Sequence, residues 1–455
     1  MRAVVLAAGR GLRLRPGGDH AKVLHPLLGL AILDRVILTA KTAGITEFVL
    51  VTGHLGGDVE SYAGDGSRWG VQVLSVRNKV WEKGSGTSLL AARPYVEDAP
   101  FLVLMGDHLF EPAVLRSLLA AQVDPPVVAV DPRVNAIADL DEAMKVRLEG
   151  DQVTAVGRGL TDPDAVDSGI FLLDGSIFPL LEETTAAGEG ELSDAVAVLA
   201  DRAQLQAWRI PPTQWFDLDT PEMVDRAEDA LLRNLAKKED GPVARYLNRP
   251  LSRRISRRVV NWPLTPDHWS LISFSVAVAG ALFLALGPFV GFIVGGALFL
   301  AVGPFMGFIV GGLLAQFASI LDGTDGEVAR LRLTASPRGG WFDAVLDRYA
   351  DLALLLGLAV GGWWVTRDLL LWPALVLAIT GAMMVSYTSA RYEGAGLGAS
   401  PVGGLPAKRD SRILILMVGA ILVMPLATLV ILAILSHAEA LRRLFAWRRA
   451  GRENS

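Results

Sequence analysis

Along residues 1–235 the apolar positions come in short unbroken runs, each closed by glycine, a charge or a turn residue. Arg2–Ala8 (RAVVLAA), Glu47–Gly53 (EFVLVTG), Val71–Val76 (VQVLSV), Phe101–Asp107 (FLVLMGD) and Gln204–Ile210 (QLQAWRI) predict strands buried on both faces. Leu33–Gly44 and Pro112–Gln122 space their apolar residues as helices do. Strands alternating with helices predict an α/β, Rossmann-like domain whose mostly parallel sheet is covered on both faces.

After residue 236 the pattern changes. Segment 236–266 interleaves Arg245, Arg249, Arg253, Arg254, Arg257 and Arg258 with Leu, Ile and Val, and predicts an amphipathic helix lying on a membrane surface. Residues 267–445 then hold long apolar stretches near 269–287, 297–320, 342–365, 369–389, 413–425 and 426–441. A crossing takes about 20 residues, so this half predicts an all-α polytopic membrane domain of about six transmembrane helices. The basic residues set the count. With the arginine helix on the cytoplasmic side, six passes return Lys408, Arg409, Arg412, Arg442, Arg443, Arg448 and Arg449 to that side. Residues 413–441 leave only 29 positions for the last two passes, so short helices are expected there, followed by a basic tail at 446–455. A tandem repeat, LFLALGPFVGFIVGGA (282–297) then LFLAVGPFMGFIVGGL (298–313), matches at 13 of 16 positions and blurs the boundary between the first two passes.

Composition sharpens this division. Hydrophobic residues make up 51% of the 455-residue chain. Residues 240–455 carry 20 Lys and Arg against 13 Asp and Glu, whereas residues 1–239 carry 23 against 35. An acidic globular half precedes a basic, oily one. There is no cysteine, which excludes disulfides and thiolate metal sites. The apolar run at the N-terminus stops too early for a signal peptide, so the first half is expected to stay cytoplasmic.

The first half carries LAAGRGLRLRP directly after its first strand, with Lys22 following. Gly9 and Gly11 allow a tight turn that offers backbone N–H groups to a phosphate. Arg13 and Lys22 add positive charge suited to a triphosphate. The dinucleotide pattern G-x-G-x-x-G is not met. The string resembles the sugar-1-phosphate nucleotidyltransferase family over roughly residues 1–235. That resemblance implies nucleotide contacts from Ala8, Gly9 and Gly11, and base recognition by Gly86 and Thr87 in GSGTSLLAA. It implies a Mg2+ (or Mn2+) site built from Asp107 in LMGDHLF and a late carboxylate in WFDLDTPEM, where Asp219 aligns best and Asp217 is the fallback. Lys145, Asp167 and Gly169 sit where the family contacts the phosphorylated polyol.

The second half carries LDGTDGEVARLRLTASPRGGWFDAVLDRYAD between two predicted passes. Asp322 and Asp325, then Asp343 and Asp347, are spaced by three and four, which puts each pair on one helix face. Carboxylates beside hydrocarbon are expensive and mark function. The string fits D-x-x-D-G-x-x-A-R-x8-G-x3-D-x3-D at Asp322, Asp325, Gly326, Ala329, Arg330, Gly339, Asp343 and Asp347. It resembles the CDP-alcohol phosphotransferase family over roughly residues 240–445. The resemblance implies that Asp322, Asp325 and Asp343 ligate divalent cations and that Asp347 is ligand or general base. Gly326, Ala329, Arg330 and Gly339 would line the nucleotide. Arg391, Lys408, Arg409 and Arg412 are candidate clamps for an anionic acceptor, or simply anchors on the inner side.

A cytidylyltransferase would make a CDP-alcohol and a CDP-alcohol phosphotransferase would consume one, so the two resemblances together imply consecutive steps. The fusion resembles the bifunctional inositol-1-phosphate cytidylyltransferase and di-myo-inositol-phosphate-phosphate synthase family. The resemblance implies CTP, inositol 1-phosphate and CDP-inositol as partners, both sites cytoplasmic in the cell membrane, and a homodimer formed through the membrane half amid lipid. No nucleic-acid partner is expected. The alternative is a phospholipid synthase using a lipid CDP-alcohol, fused to an unrelated nucleotidyltransferase.

Overall fold

A computed structural model describes residues 1–14, 20–96, 99–137, 140–212, 215–236, 240–294, 303–394 and 406–453. The chain divides into two compact units, Met1–Ala230 and Leu231–Ser455.

The first unit is built on a nine-stranded sheet. Its strands are β1 (Arg2–Ala7), β2 (Glu47–Thr52), β3 (Gln72–Arg77), β4 (Phe101–Met105), β5 (Val127–Asp131), β6 (Lys145–Glu149), β7 (Gln152–Gly157), β8 (Ala165–Leu173) and β9 (Gln206–Arg209). They lie in the order β3-β2-β1-β4-β8-β5-β9-β7-β6. The helices are α1 (Ile32–Thr42), α2 (Gly56–Ala63), α3 (Ser85–Val96), α4 (Pro112–Ala120), α5 (Ile177–Ala186), α6 (Leu192–Asp201) and α7 (Pro221–Arg233). Alternate residues of each central strand face opposite ways. Val5, Leu50 and Leu104 pack with Ile37 of α1 and Leu115 of α4. Val4, Val49 and Val103 pack with Leu89 of α3 and Leu181 of α5 on the other face. The unbroken apolar runs follow from this double burial.

The expectation of a mostly parallel sheet needs correcting. β1 pairs in parallel with β2 and β4, and β2 with β3, but β8 runs antiparallel to β4 and β5, and β6 and β7 form an antiparallel pair. The sheet is mixed. β6 and β7 carry mixed buried and half-exposed positions, so they lack the apolar run that marks a central strand. A separate ribbon pairs His108–Phe110 antiparallel with Trp215–Asp217, bringing Asp217 opposite His108.

The second unit is helical: α8 (Arg249–Val259), α9 (Pro266–Val294), α10 (Gly303–Leu331), α11 (Pro337–Thr366), α12 (Leu371–Gly394), α13 (Arg409–Ile421) and α14 (Pro425–Glu453). Helices occupy all six expected passes, but the count of six crossings is not carried by length and apolarity. Among the described residues three helices meet that standard, over Pro266–Gly287, Phe305–Leu331 and Leu371–Tyr392. α11 spends its first turns on Asp343, Asp347, Arg348 and Asp351. α13 has 13 residues and starts at Arg409, not at 413. At 1.5 Å per residue that is about 20 Å, short of a ~30 Å hydrocarbon layer.

The tandem repeat supplies the end of α9 and the start of α10, with 295–302 outside the described residues. Gly287 of the first copy lies against Gly307 of the second, where any Cβ would strike the facing backbone. Small residues let two apolar helices approach this closely in a membrane. α8 does not simply lie on a surface. It buries Ser252, Ser256 and Val259, and both serines hydrogen-bond Glu327 of α10.

Candidate active sites

In the first unit, the loop leaving β1 turns at Gly11, whose φ is +63°. A Cβ there would lie within 2.9 Å of three side-chain carbons of Lys22. Lys22 is 5% exposed, and its ammonium lies between two carboxylates. It donates to Asp107 Oδ2 at 2.5 Å and to Asp219 Oδ1. Arg13 pairs with Asp219 and with Glu142. Gly11→Ala is expected to push Lys22 off Asp107 and slow pyrophosphate release at least ~100-fold. CMP release from supplied CDP-alcohol should be unchanged, measured side by side on the purified chain.

Asp107 leaves β4 and faces the Trp215–Asp217 ribbon. Its carbonyl accepts Leu218 N at 3.2 Å. His108 Nδ1 lies 2.9 Å from Asp107 Oδ1 and 3.9 Å from Asp217 Oδ1. The imidazole stacks on Trp215 at 5.7 Å, and Trp215 donates to Asp131 at 2.9 Å. Burial works against charge on Asp107, yet Lys22 and His108 hold it well below the usual carboxylate range. Burial alone would lower the His108 pKa, but Asp217 and Asp107 carry it up to about 9. Burial pushes Asp217 up.

Asp107, His108 and Asp217 each bring one ligand atom within 4.8 Å of the others. Asp217 Oδ1 is buried with no hydrogen-bond partner. An oxygen pair of this kind suits a hard divalent cation. Asp219, the carboxylate favoured by alignment, is held instead by Lys22 and Arg13, while Thr220 Oγ1 accepts Met223 N at 3.3 Å at the start of α7. His108, though it follows Asp107 in LMGDHLF, and Glu142, which lies outside the motif strings, were both missed.

Gly86 and Thr87 open α3. Gly86 N donates to Gly190 O at 2.8 Å. The Thr87 hydroxyl donates to Gly84 O at 2.8 Å and accepts Asn78 Nδ2 at 2.9 Å. Its hydroxyl is thus spent inside the loop, and Asn78 is the strut that sequence reading overlooked. Lys145, an expected phosphate contact, turns its ammonium onto Arg158 O at 2.7 Å. Asp167 accepts Gly169 N at 2.8 Å, and Gly169 lies beside His108.

Burial raises the Asp167 pKa to about 6. A raised carboxyl pKa favours folding fully below the unfolded value near pH ~3.9, and that advantage is lost as pH rises through the folded value. The unfolding free energy of the wild type relative to Asp167→Asn should therefore fall by about 2 kcal/mol from pH 4 to pH 7. Tryptophan fluorescence during urea unfolding of the first unit in the intact chain checks this.

In the second unit, Asp322, Asp343 and Asp347 each bring an oxygen within 4.8 Å of the others. Asp325, expected as a further ligand, is not among these three; it accepts Ser270 Oγ and Gly326 N. Arg409, in the first turn of α13, pairs with Asp322 at 2.9 Å and Asp347 at 2.8 Å. It also pairs with Asp351 at 3.1 Å, and Arg412 holds the other oxygen of Asp351 at 2.6 Å. Of the four expected clamps, Arg409 thus reaches this cluster, and Arg412 reaches Asp351 beside it. Lys408 caps α13 through its backbone, accepting Arg412 N at 3.0 Å, and Arg391 is exposed near the end of α12. Gly326 gives room to the Arg330 guanidinium, which would sit 3.2 Å from a Cβ, and Ala329 is buried beside it. Arg330 Nε is buried without a partner. Gly339 N donates to Ser336 Oγ at 3.1 Å and starts α11. Ser270 and Glu327 gave no sequence signal. Asp351 did, since it extends the spacing of Asp343 and Asp347 by one more turn.

A nucleotidyltransferase-like unit with a Lys-flanked carboxylate pair, followed by an apolar helical unit with a carboxylate cluster, defines a two-site transferase. Residues 3–208 match the MobA-like NTP transferase domain and residues 275–440 the CDP-alcohol phosphatidyltransferase family. The chain belongs to the family of bifunctional IPC transferases and DIPP synthases. It is 41% identical to the protein of that name from Rubrobacter xylanophilus, over 98% of this chain and 96% of the relative. Identity to the Archaeoglobus fulgidus protein is 35%, over 93% and 78%, and to the Aquifex aeolicus protein 32%, over 99% of each.

Proposed function

We propose that the chain makes CDP-inositol from CTP and inositol 1-phosphate, releasing pyrophosphate, and then joins CDP-inositol to a second inositol 1-phosphate, releasing CMP. The observation that carries this reading is the pair of separate clusters of potential cation ligands, one in each unit.

In the first reaction the phosphomonoester oxygen attacks the α-phosphorus and the bond to pyrophosphate breaks. The Gly9–Gly11 turn presents backbone N–H groups to the phosphates. Lys22 and Arg13 neutralise growing charge, and Asp219 keeps both in place. Asp107 and Asp217 would hold Mg2+ or Mn2+, favoured over Asp219 because Asp217 has an unpartnered oxygen. In the second reaction an inositol hydroxyl attacks the β-phosphorus and CMP departs with the bonding electrons. Asp347 lies where it can take the hydroxyl proton, and Asp322, Asp325 and Asp343 would complete a divalent-cation site. At both sites the cation would screen phosphate charge on the attacking and leaving oxygens. Arg409 and Arg412 supply positive charge for the acceptor phosphate.

We further read α9–α14 as a multi-pass unit in the cell membrane that pairs with a second copy amid lipid, with both sites cytoplasmic; the Lys and Arg distribution supports this orientation. The test is to incubate the purified chain with CTP, Mg2+ and a panel of polyol phosphates and to identify the products. CDP-inositol followed by a water-soluble inositol-containing product is expected. A different CDP-polyol, or a chloroform-soluble product, overturns the reading.

A further inference from the structure

Asp351 lies outside the carboxylate signature, yet it is buried one helical turn beyond Asp347 on the same face of α11. Its two oxygens hold two guanidinium groups of α13, Arg409 Nε at 3.1 Å and Arg412 at 2.6 Å. Through its other edge, Arg409 reaches Asp322 and Asp347, two of the three carboxylates that converge on the cation site. One guanidinium therefore spans three carboxylates, two belonging to the cation site and one not. Arginine's planar fork makes such a span possible where lysine's point charge would not.

We propose that Asp351 is a positioning residue that governs a competition between Arg409 and the divalent cation. Arg409 is the resident counter-charge of Asp322 and Asp347. When a cation arrives, the terminal nitrogen of Arg409 gives up both carboxylates, while its Nε stays on Asp351. Asp351 thus makes displacement easy, because the guanidinium keeps a buried partner, and it retains the positive charge beside the site for an incoming phosphate. Without the Asp351 charge, Arg409 depends on Asp322 and Asp347 alone and yields them less readily. Arg412 is the second partner that holds Asp351 in place. This inference rests on the reading of Asp322, Asp343 and Asp347 as cation ligands.

The test is Mn2+ binding, followed by electron paramagnetic resonance on the full chain in detergent, with Asp107→Asn and Asp217→Asn silencing the first unit. Asp351→Asn should weaken Mn2+ affinity about tenfold when Arg409 is present and less than about twofold in the Arg409→Gln background, the non-additivity expected of coupled neighbours. Arg409→Gln alone should tighten binding. An equal effect of Asp351→Asn in both backgrounds would reflect lost charge only and overturns the proposal. No Mn2+ binding by the parent chain overturns the cation reading, and this inference with it. A structure of the Mn2+-loaded wild-type chain tests the idea without relying on variant folding. Arg409 should remain on Asp351 after leaving Asp322 and Asp347; departure from all three contradicts the proposal.

Discussion

Asp347→Asn is expected to stop CMP release while CDP-alcohol accumulates, and Asp107→Asn to stop CDP-alcohol formation while CMP release from supplied CDP-alcohol continues. Each loss should be at least ~1,000-fold in kcat, the scale on which removing a cation ligand or proton acceptor acts. The separation follows from the molecule. Asp107 lies between Lys22 and His108 in the first unit, whereas Asp347 meets Asp322, Asp343 and Arg409 in the second. The two clusters share no residue. Pyrophosphate and CMP are measured separately on the same preparation. If either variant stays folded and loses both half-reactions, the two-site division is wrong.

Glu327→Ala should destabilise the second unit by about 3–5 kcal/mol, the range found when one partner of a buried ion pair is removed. Glu327 is fully buried. It accepts Ser252 and Ser256 at 2.7 Å each and Arg249 at 3.1 Å. Arg249 also pairs with Asp240 at 3.0 Å, so part of its charge stays compensated in the variant. The consequence is local. α8 loses its dock on α10, its arginines become cleavable by trypsin, and CMP release falls because Asp322 and Asp325 sit on that same stretch of α10. Pyrophosphate release should persist. Glu327→Gln, which keeps one acceptor oxygen, should lose less. Trypsin sensitivity and the thermal midpoint in detergent check this; a Glu327→Ala chain as resistant and as stable as the wild type would contradict it.

Much of this molecule could be read from the chain. Apolar runs located β1, β2 and β4 because strands buried on both faces must be apolar; β3 and β9 were also located, but the expected double burial does not hold there, since β3 is an edge strand and β9 buries only Ala207. Fixed spacing located Asp322, Asp325, Asp343 and Asp347 because helical periodicity converts intervals of three and four into a shared face. The antiparallel members β6 and β7 escaped because partial exposure breaks up the apolar runs, and β8, though buried, is interrupted by Asp167, Ser168 and Gly169; pairing direction has no local signature. The motif placed Asp219 first and Asp217 as its fallback; what it did not reveal is that Asp219 pairs with Lys22 and Arg13.

Periodicity, composition and motif spacing therefore point to an α/β nucleotidyltransferase-like part and an apolar helical part, and single out acids that the fold gathers into clusters. These are properties of short stretches, each obeying local geometry. Which acid faces which base is different. Asp351 between Arg409 and Arg412, Glu327 between Ser252, Ser256 and Arg249, and Asp217 beside Asp107 all join residues distant along the chain or on separate elements. A charge removed from water must find its partner in space, and only the packing of helices and strands determines where that partner stands.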